Sequence, residues 1–205
     1  AGADGISAIN TIKSVTMSHR SDIAGKNTIS GYSGRAVKPI ALRYVLELAN
    51  NPDMKNLQLS GIGGIETWQD SLEFIRLGCN NLQICTAVMQ YGYRIIDDLT
   101  LGLQTYMAER GIENLDALVG EALSEFVLPA DLDRQTIVFP KINRDKCVGC
   151  GRCFISCLDG GHQAISFDEN RQPHVSGSKC VGCLLCSLVC PTGAIERSHR
   201  VKKLN

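Results

Sequence analysis

The sequence lacks an excess of charge of either sign. Its 21 lysines and arginines meet 21 aspartates and glutamates, which leaves no basic footprint for nucleic acid. It lacks a run of about eighteen apolar residues, which excludes a membrane-spanning helix. The opening Ala1-Gly2-Ala3-Asp4 has no initiator methionine, charged n-region or apolar h-region, so it reads as the interior of a longer chain and not as a signal peptide. Metal-ligand spacing is missing among His19, His162, His174 and His199, which are expected on the surface. The short basic run from His199 to Lys203 reads as a solvated tail.

What is present is cysteine at short, fixed intervals. Eight of the ten cysteines lie between Cys147 and Cys190, as Cys147-x2-Cys150-x2-Cys153-x3-Cys157 and Cys180-x2-Cys183-x2-Cys186-x3-Cys190-Pro191. This is the ferredoxin run for [4Fe–4S] clusters, in which the fourth cysteine of each run ligates the other cluster. Three thiolates two residues apart wrap three corners of a cubane, and the fourth begins a turn toward the neighbour. One set is therefore Cys147, Cys150, Cys153 and Cys190; the other is Cys157, Cys180, Cys183 and Cys186. Structural zinc, with thiolates in two separated pairs, fits this spacing poorly. Lys146-Cys147-Val148-Gly149-Cys150 recurs 33 residues on as Lys179-Cys180-Val181-Gly182-Cys183, an internal duplication. Leu158 follows Cys157 where Pro191 follows Cys190. Thiolates used in this way imply a reducing cytoplasm.

The first half alternates short apolar runs with helical patterns, the mark of parallel βα units. Strands are expected at 5–9, 57–60 and 82–84, and helices near 39–49, 67–77, 93–110 and 114–126. Pro39 opens the first helix, Thr67 caps the second and Gly78 stops it. A long polar, glycine-rich loop is expected at 16–35. Each strand ends in small or polar groups: Asn10-Thr11, Gly61-Ile62-Gly63-Gly64 and Cys85-Thr86. In a (β/α)8 barrel such ends build the active site, with a phosphate site after the last two strands. The expected fold class is α/β: about the last three βα units of a (β/α)8 barrel, plus a small α+β two-[4Fe–4S] ferredoxin-like domain. The boundaries are 1–128 for the barrel part with its extra helix, 129–143 for a linker and 144–205 for the cluster domain.

Residues 1–11, Tyr32-Ser33-Gly34-Arg35-Ala36, Gly63-Gly64-Ile65 and Gln83-Ile84-Cys85-Thr86-Ala87 resemble the flavin barrel of the dihydropyrimidine dehydrogenase family, and the double-cluster domain extends the resemblance over essentially all 205 residues. The resemblance implies that Asn10 and Thr11 bind a pyrimidine, and that Gly34, Ile62, Gly63, Gly64, Cys85 and Thr86 bind FMN. It implies reversible reduction of uracil or thymine, with electrons exchanged through a hetero-oligomeric partner subunit carrying FAD, NAD(H) and its own clusters. The family's catalytic cysteine precedes residue 1, so no catalytic residue is expected here and the chain alone is expected to be inactive. Two alternatives stand beside this reading: a non-catalytic ferredoxin-type electron-transfer module, and a flavin dehydrogenase acting on dihydroorotate.

Overall fold

The computed structural model describes residues 2–15 and 28–203. The chain divides into two compact units, Ala1–Val127 and Leu128–Asn205. Among the described residues, no helix is long and apolar enough to cross a membrane. Residues 16–27 of the expected 16–35 loop, including His19, lie outside the described residues.

The first unit is built on a parallel sheet of three strands. Strand β1 (Gly5–Ala8) pairs with β4 (Gln58–Ile62), and β4 with β5 (Cys79–Gln83). Between β1 and β4 come an antiparallel hairpin, β2 (Ile12–Ser14) with β3 (Ser30–Tyr32), and helix α1 (Lys38–Ala49). Pro39 lies in the first turn of α1, where its missing N–H is not needed. Helix α2 (Trp68–Arg76) starts with a reciprocal capping box between Thr67 and Asp70, which satisfies two otherwise orphaned N–H groups. After β5 follow a short helix α3 (Thr86–Tyr91) and the long α4 (Arg94–Glu109).

Strand alternation gives the sheet two unlike faces. Ala8, Leu59 and Leu82 pack with Ala41 and Val45 of α1 and Phe74 of α2. The other face carries Ser7, Ser60, Asn81 and Gln83. Gln83 Nε2 donates to Ser7 Oγ (2.6 Å) and Ser60 Oγ (2.7 Å), and Ser60 Oγ donates to Asn81 Oδ1. A second cluster holds Leu72, Ile75 and Leu118, with Trp68 lying 5.5 Å from the Tyr106 ring.

Several expectations need correction. The third strand begins at Cys79, because Cys79 and Asn81 pair with Leu59 and Ser60, and the bulged Asn80 accepts the Leu59 N–H at its Oδ1. The helix expected over 114–126 is absent: only 3-10 turns occur at Leu115–Leu118 and Leu123–Glu125. Val119 is extended and Gly120 has φ +77°. The N–H groups of Gly120 and Ala122 donate to Ile75 O and Arg76 O at the end of α2. Helix α3 and the β2–β3 hairpin were not anticipated. The expected linker over 129–143 contains a strand, β6 (Thr136–Ile142).

The second unit repeats itself. Strand β6 pairs with β9 (Ile195–Lys202), and β7 (Ile165–Phe167) with β8 (Pro173–Val175), both antiparallel. Helices α5 (Arg152–Asp159) and α6 (Leu185–Leu188) each follow a residue in the left-handed region, Gly151 and Leu184. The core is symmetric under the duplication: Cys153 with Cys186, Ile165 with Ile195. The Asn143 N–H donates to Ala194 O, as the Ser176 N–H does to Ala164 O.

Candidate functional site

In the first unit the ends of β1, β4 and β5 frame a cavity of about 290 Å³. It brings together Asn10, Thr11, Gly34, Ile62, Gly63, Gly64, Cys85 and Thr86, the eight residues singled out for pyrimidine and flavin. Sequence reasoning assigned no role to four more lining residues: Tyr32, Ser33, Gln83 and Met89. The signal for Tyr32 and Ser33 was their place directly before Gly34; Gln83 is the last residue of β5.

Local geometry sets what each group can do. Asn10 Oδ1 accepts from the Thr11 N–H (2.7 Å) and the Thr11 hydroxyl (3.3 Å). The Asn10 amide NH₂ is left to donate and the Thr11 hydroxyl oxygen to accept. Thr86 Oγ1 donates to Ser33 Oγ at 3.0 Å, tying β5's end to the segment after β3. In α3 the first intrahelical bond is from Met89 N–H to Cys85 O, so the N–H groups of Thr86 to Val88 have no partner in the helix.

The Gly63-Gly64 turn needs glycine twice over. Both residues have positive φ, +134° and +75°. A Cβ at Gly63 would lie 2.8 Å from Ala41 Cβ, and one at Gly64 2.8 Å from Gly34 O. The backbone itself therefore forms the wall. Among the described residues, the lining carries one acidic residue, Glu66, and no lysine or arginine. These groups fit an FMN phosphate, held by backbone N–H groups as at other glycine-rich turns.

An ion pair braces this wall from behind. Lys38, at the start of α1, lies 2.5 Å from Asp70 Oδ1 and 3.0 Å from Glu73. Asp70 Oδ2 also accepts from the N–H groups of Glu66 (3.0 Å) and Thr67 (2.8 Å). Burial alone would raise the Asp70 carboxyl, but the Lys38 ammonium and the N–H donors overcome it and hold the group below the usual carboxylate range. Lys38 is raised above the ordinary lysine value: burial opposes this, and the two carboxylates prevail.

Two cysteines lie in this unit. Cys79 is fully buried at the start of β5, and burial pushes its thiol up to about 12, which makes it inert near neutrality. Cys85 is exposed and lines the cavity.

In the second unit the other eight cysteines surround two separate spaces. One is lined by Cys147, Cys150, Cys153 and Cys190, the other by Cys157, Cys180, Cys183 and Cys186. Among the described residues, no three His, Cys, Asp or Glu side chains are grouped as a single metal ion would require. The two crossing cysteines are treated alike: the Ala164 N–H donates to Cys157 Sγ (3.2 Å), and the Ala194 N–H to Cys190 Sγ (3.3 Å). Burial raises the thiols of Cys153, Cys180 and Cys186, the last to about 11. For Cys190 burial works upward, but the Thr192 hydroxyl and nearby N–H groups lower it on balance. Four soft ligands around each space, with N–H donors to sulfur, fit an iron–sulfur cubane.

Comparison with known proteins follows the same division. The sequence model of the dihydroorotate dehydrogenase family matches residues 1–107, and that of a 4Fe-4S dicluster domain matches residues 140–197. The chain is 54% identical over 202 residues to the NAD-dependent dihydropyrimidine dehydrogenase subunit PreA of Escherichia coli, covering 95% of this chain and 49% of that one. It is 44% identical over 128 residues to the catalytic subunit of dihydroorotate dehydrogenase B (NAD(+)) of Pyrococcus abyssi, covering 60% of this chain and 40% of the other. With the chloroplastic dihydropyrimidine dehydrogenase (NADP(+)) of Arabidopsis thaliana it shares 39% over 140 residues, 64% of this chain and 33% of the plant protein. The chain thus spans about half the length, or less, of these relatives.

Proposed function

Because the chain belongs to the dihydroorotate dehydrogenase family, and within it groups with the dihydropyrimidine dehydrogenases, we propose that it is the flavin-binding, pyrimidine-binding and electron-relaying part of an NAD-dependent dihydropyrimidine dehydrogenase. In this reading the sheet of the first unit is the last part of a (β/α)8 barrel. When bound, FMN supplies reversible hydride exchange at the 5,6 double bond of uracil or thymine, and two [4Fe–4S] clusters supply one-electron transfer to and from a partner subunit carrying FAD, NAD(H) and its own clusters.

The chain's own residues orient the substrate. A pyrimidine edge alternates carbonyl and N–H groups, and the free Asn10 amide donor beside the Thr11 acceptor complements that pattern. The N–H groups of Gly63, Gly64, Thr86 and Ala87 would hold the flavin phosphate, with dipoles in place of net charge. Neither local cysteine delivers the proton to ring carbon 5. Cys79 is buried and inert, and Cys85 belongs to the phosphate end; the family resemblance implies that a cysteine elsewhere on the subunit donates it. Residues 1–205 alone therefore yield no dihydrouracil. A reducing cytoplasm is the setting that keeps the eight thiols of the two quartets, all free in the structure, available as ligands.

The observation that carries this reading is the meeting of eight residues, from separate segments of the chain, in one cavity. The choice of pyrimidine over dihydroorotate rests on extent. The archaeal match spans 128 residues, whereas the bacterial one runs through 202 and so takes in the cluster unit. The test is an anaerobic preparation of the full-length subunit, assayed for flavin and iron per chain. The wild type is expected to hold FMN and eight irons. Gly64→Val is expected to lose the flavin and keep the iron, because valine is strained at positive φ and meets Gly34 O. A wild-type chain with iron and no flavin supports a pure electron-transfer module, and undiminished flavin in Gly64→Val refutes the proposed cradle.

A further inference from the structure

The duplication places the two cysteine loops in nearly identical backbone surroundings, so differences between them stand out. The glycine of each loop backs onto the other repeat. A Cβ at Gly149 would meet Arg171 O at 3.1 Å, and one at Gly182 would meet Val138 O at 2.8 Å. Arg171 and Val138 are themselves 33 residues apart, the offset of the repeat. Behind the first loop stands an arginine; behind the second, a valine.

Arg171 is fixed in that place. It sits at φ +56°, in the β7–β8 turn, a conformation few residues other than glycine and asparagine adopt. Its Nε donates to Gly149 O at 3.1 Å, and a Cβ at Gly151 would lie 3.7 Å from its Nη2. The guanidinium therefore lies along the stretch between Cys147 and Cys153. Arg152 adds a second cation within this loop, where the second loop has Leu185. The crossing cysteines differ in the same sense. Thr192 Oγ1 lies 3.7 Å from Cys190 Sγ, whereas the equivalent place after Cys157 is taken by the exposed Asp159. Lys146 and Lys179 are equivalent in the repeat, but Lys146 lies 3.6 Å from the exposed Glu196 carboxylate, which works the other way. So does Asp145, in place of Ser178, but it is exposed and outside the loop.

We infer that the two cysteine quartets hold their clusters at unequal reduction potentials, the set Cys147, Cys150, Cys153 and Cys190 being the more positive, and that Arg171 is a main cause. This rests on the two-cluster reading above. A reduced cluster carries one more negative charge than an oxidised one, so a fixed cation and a nearby hydroxyl stabilise the reduced form, and a nearby carboxylate opposes it. Electrons entering the unit come to rest in the first quartet. The guanidinium is exposed, so the gap narrows as salt is added.

The test is a dithionite titration of the anaerobic full-length subunit with redox mediators, followed by electron paramagnetic resonance. Iron is counted first: fewer than eight per chain removes the two-cluster reading and this inference with it. With eight present, the wild type is expected to reduce in two steps. Arg171→Gly, which removes the charge and suits the left-handed backbone, is expected to move the upper step to more negative potential and leave the lower one in place. Arg171→Lys is expected to retain most of the wild-type value. Arg152→Leu, which copies the second loop, is expected to shift the same step in the same direction. A single unresolved step that neither charge-removing variant splits or moves overturns the inference. So does movement of the lower step alone, or a lysine variant that shifts as far as the glycine variant.

Discussion

In the first unit Ala41, Val45, Phe74 and Cys79 are essentially sealed from solvent within a broad aliphatic cluster, whereas the core of the second unit is Cys153, Ile165, Cys186 and Ile195. Two of those four are cysteines of the proposed cluster quartets. A unit of this size seldom stabilises itself by apolar burial alone, and here the positions that would hold leucine or phenylalanine hold sulfur. The contrast teaches that a cofactor can play two unlike parts in one chain. In the first unit it would occupy a cavity that already has its walls; in the second it would be the interior.

The comparison can be broken by removing iron. Chelation after oxidation is expected to unfold residues 128–205 while the first unit keeps its structure, because metal-binding free energy is folding free energy where no core exists without it. Hydrogen exchange reads this directly, and amides of β6 and β9 that stay protected without iron would show a unit standing on apolar packing. Next in size is Phe74→Ala, expected to destabilise the first unit by about 3–5 kcal/mol with iron content unchanged, as measured by denaturant unfolding. Smaller still is Asp70→Asn, which leaves Lys38 with Glu73 alone. It is expected to cost about 1–3 kcal/mol and to lower flavin affinity, since the pair braces the Gly63-Gly64 wall.

The sign of the pH effect follows from that pair. Asp70 is held below its unfolded value, so its contribution is present above the ordinary carboxylate range and is lost as pH falls through the lowered folded value. Lys38 is held above its unfolded value, so its contribution is complete below the ordinary lysine range and is lost as pH rises through the raised one. Melting temperature against pH is thus expected to fall at both extremes, and Asp70→Asn to flatten the acid limb.

Signals contained within a few residues were legible in the sequence. Pro39 at the start of α1 and Thr67 at the start of α2 act inside one turn of chain, and each cysteine run fits within eleven residues. What depended on a distant partner was not legible. Strand β6 looked like linker because it contains Pro140, yet the ladder with β9 shifts register between Val138 and Pro140, and an irregularity of that kind tolerates proline. Asn80 and Asn81 fell outside the strand expected at 82–84, and only β4 supplies the partners that extend it. Residues 114–126 had helical spacing, but the carbonyls at the end of α2 captured their N–H groups. In the candidate site, Asn10, Thr11, Gly63 and Gly64 stood out by their place at strand ends and took their roles from the family resemblance, whereas the free amide of Asn10 is a property of its bond to Thr11 that only the folded chain reveals.

Strands β6 and β9 have a consequence beyond the sheet they form. Thr136 is paired with Lys202, and the Lys203 N–H donates to Gln135 O at 2.9 Å, so the way into this module and the way out of it are neighbours. A folded piece whose two ends meet can be carried in a host's surface loop without stretching it. Its doorstep is narrow enough for transplantation: the cysteine module is built like a plug-in part.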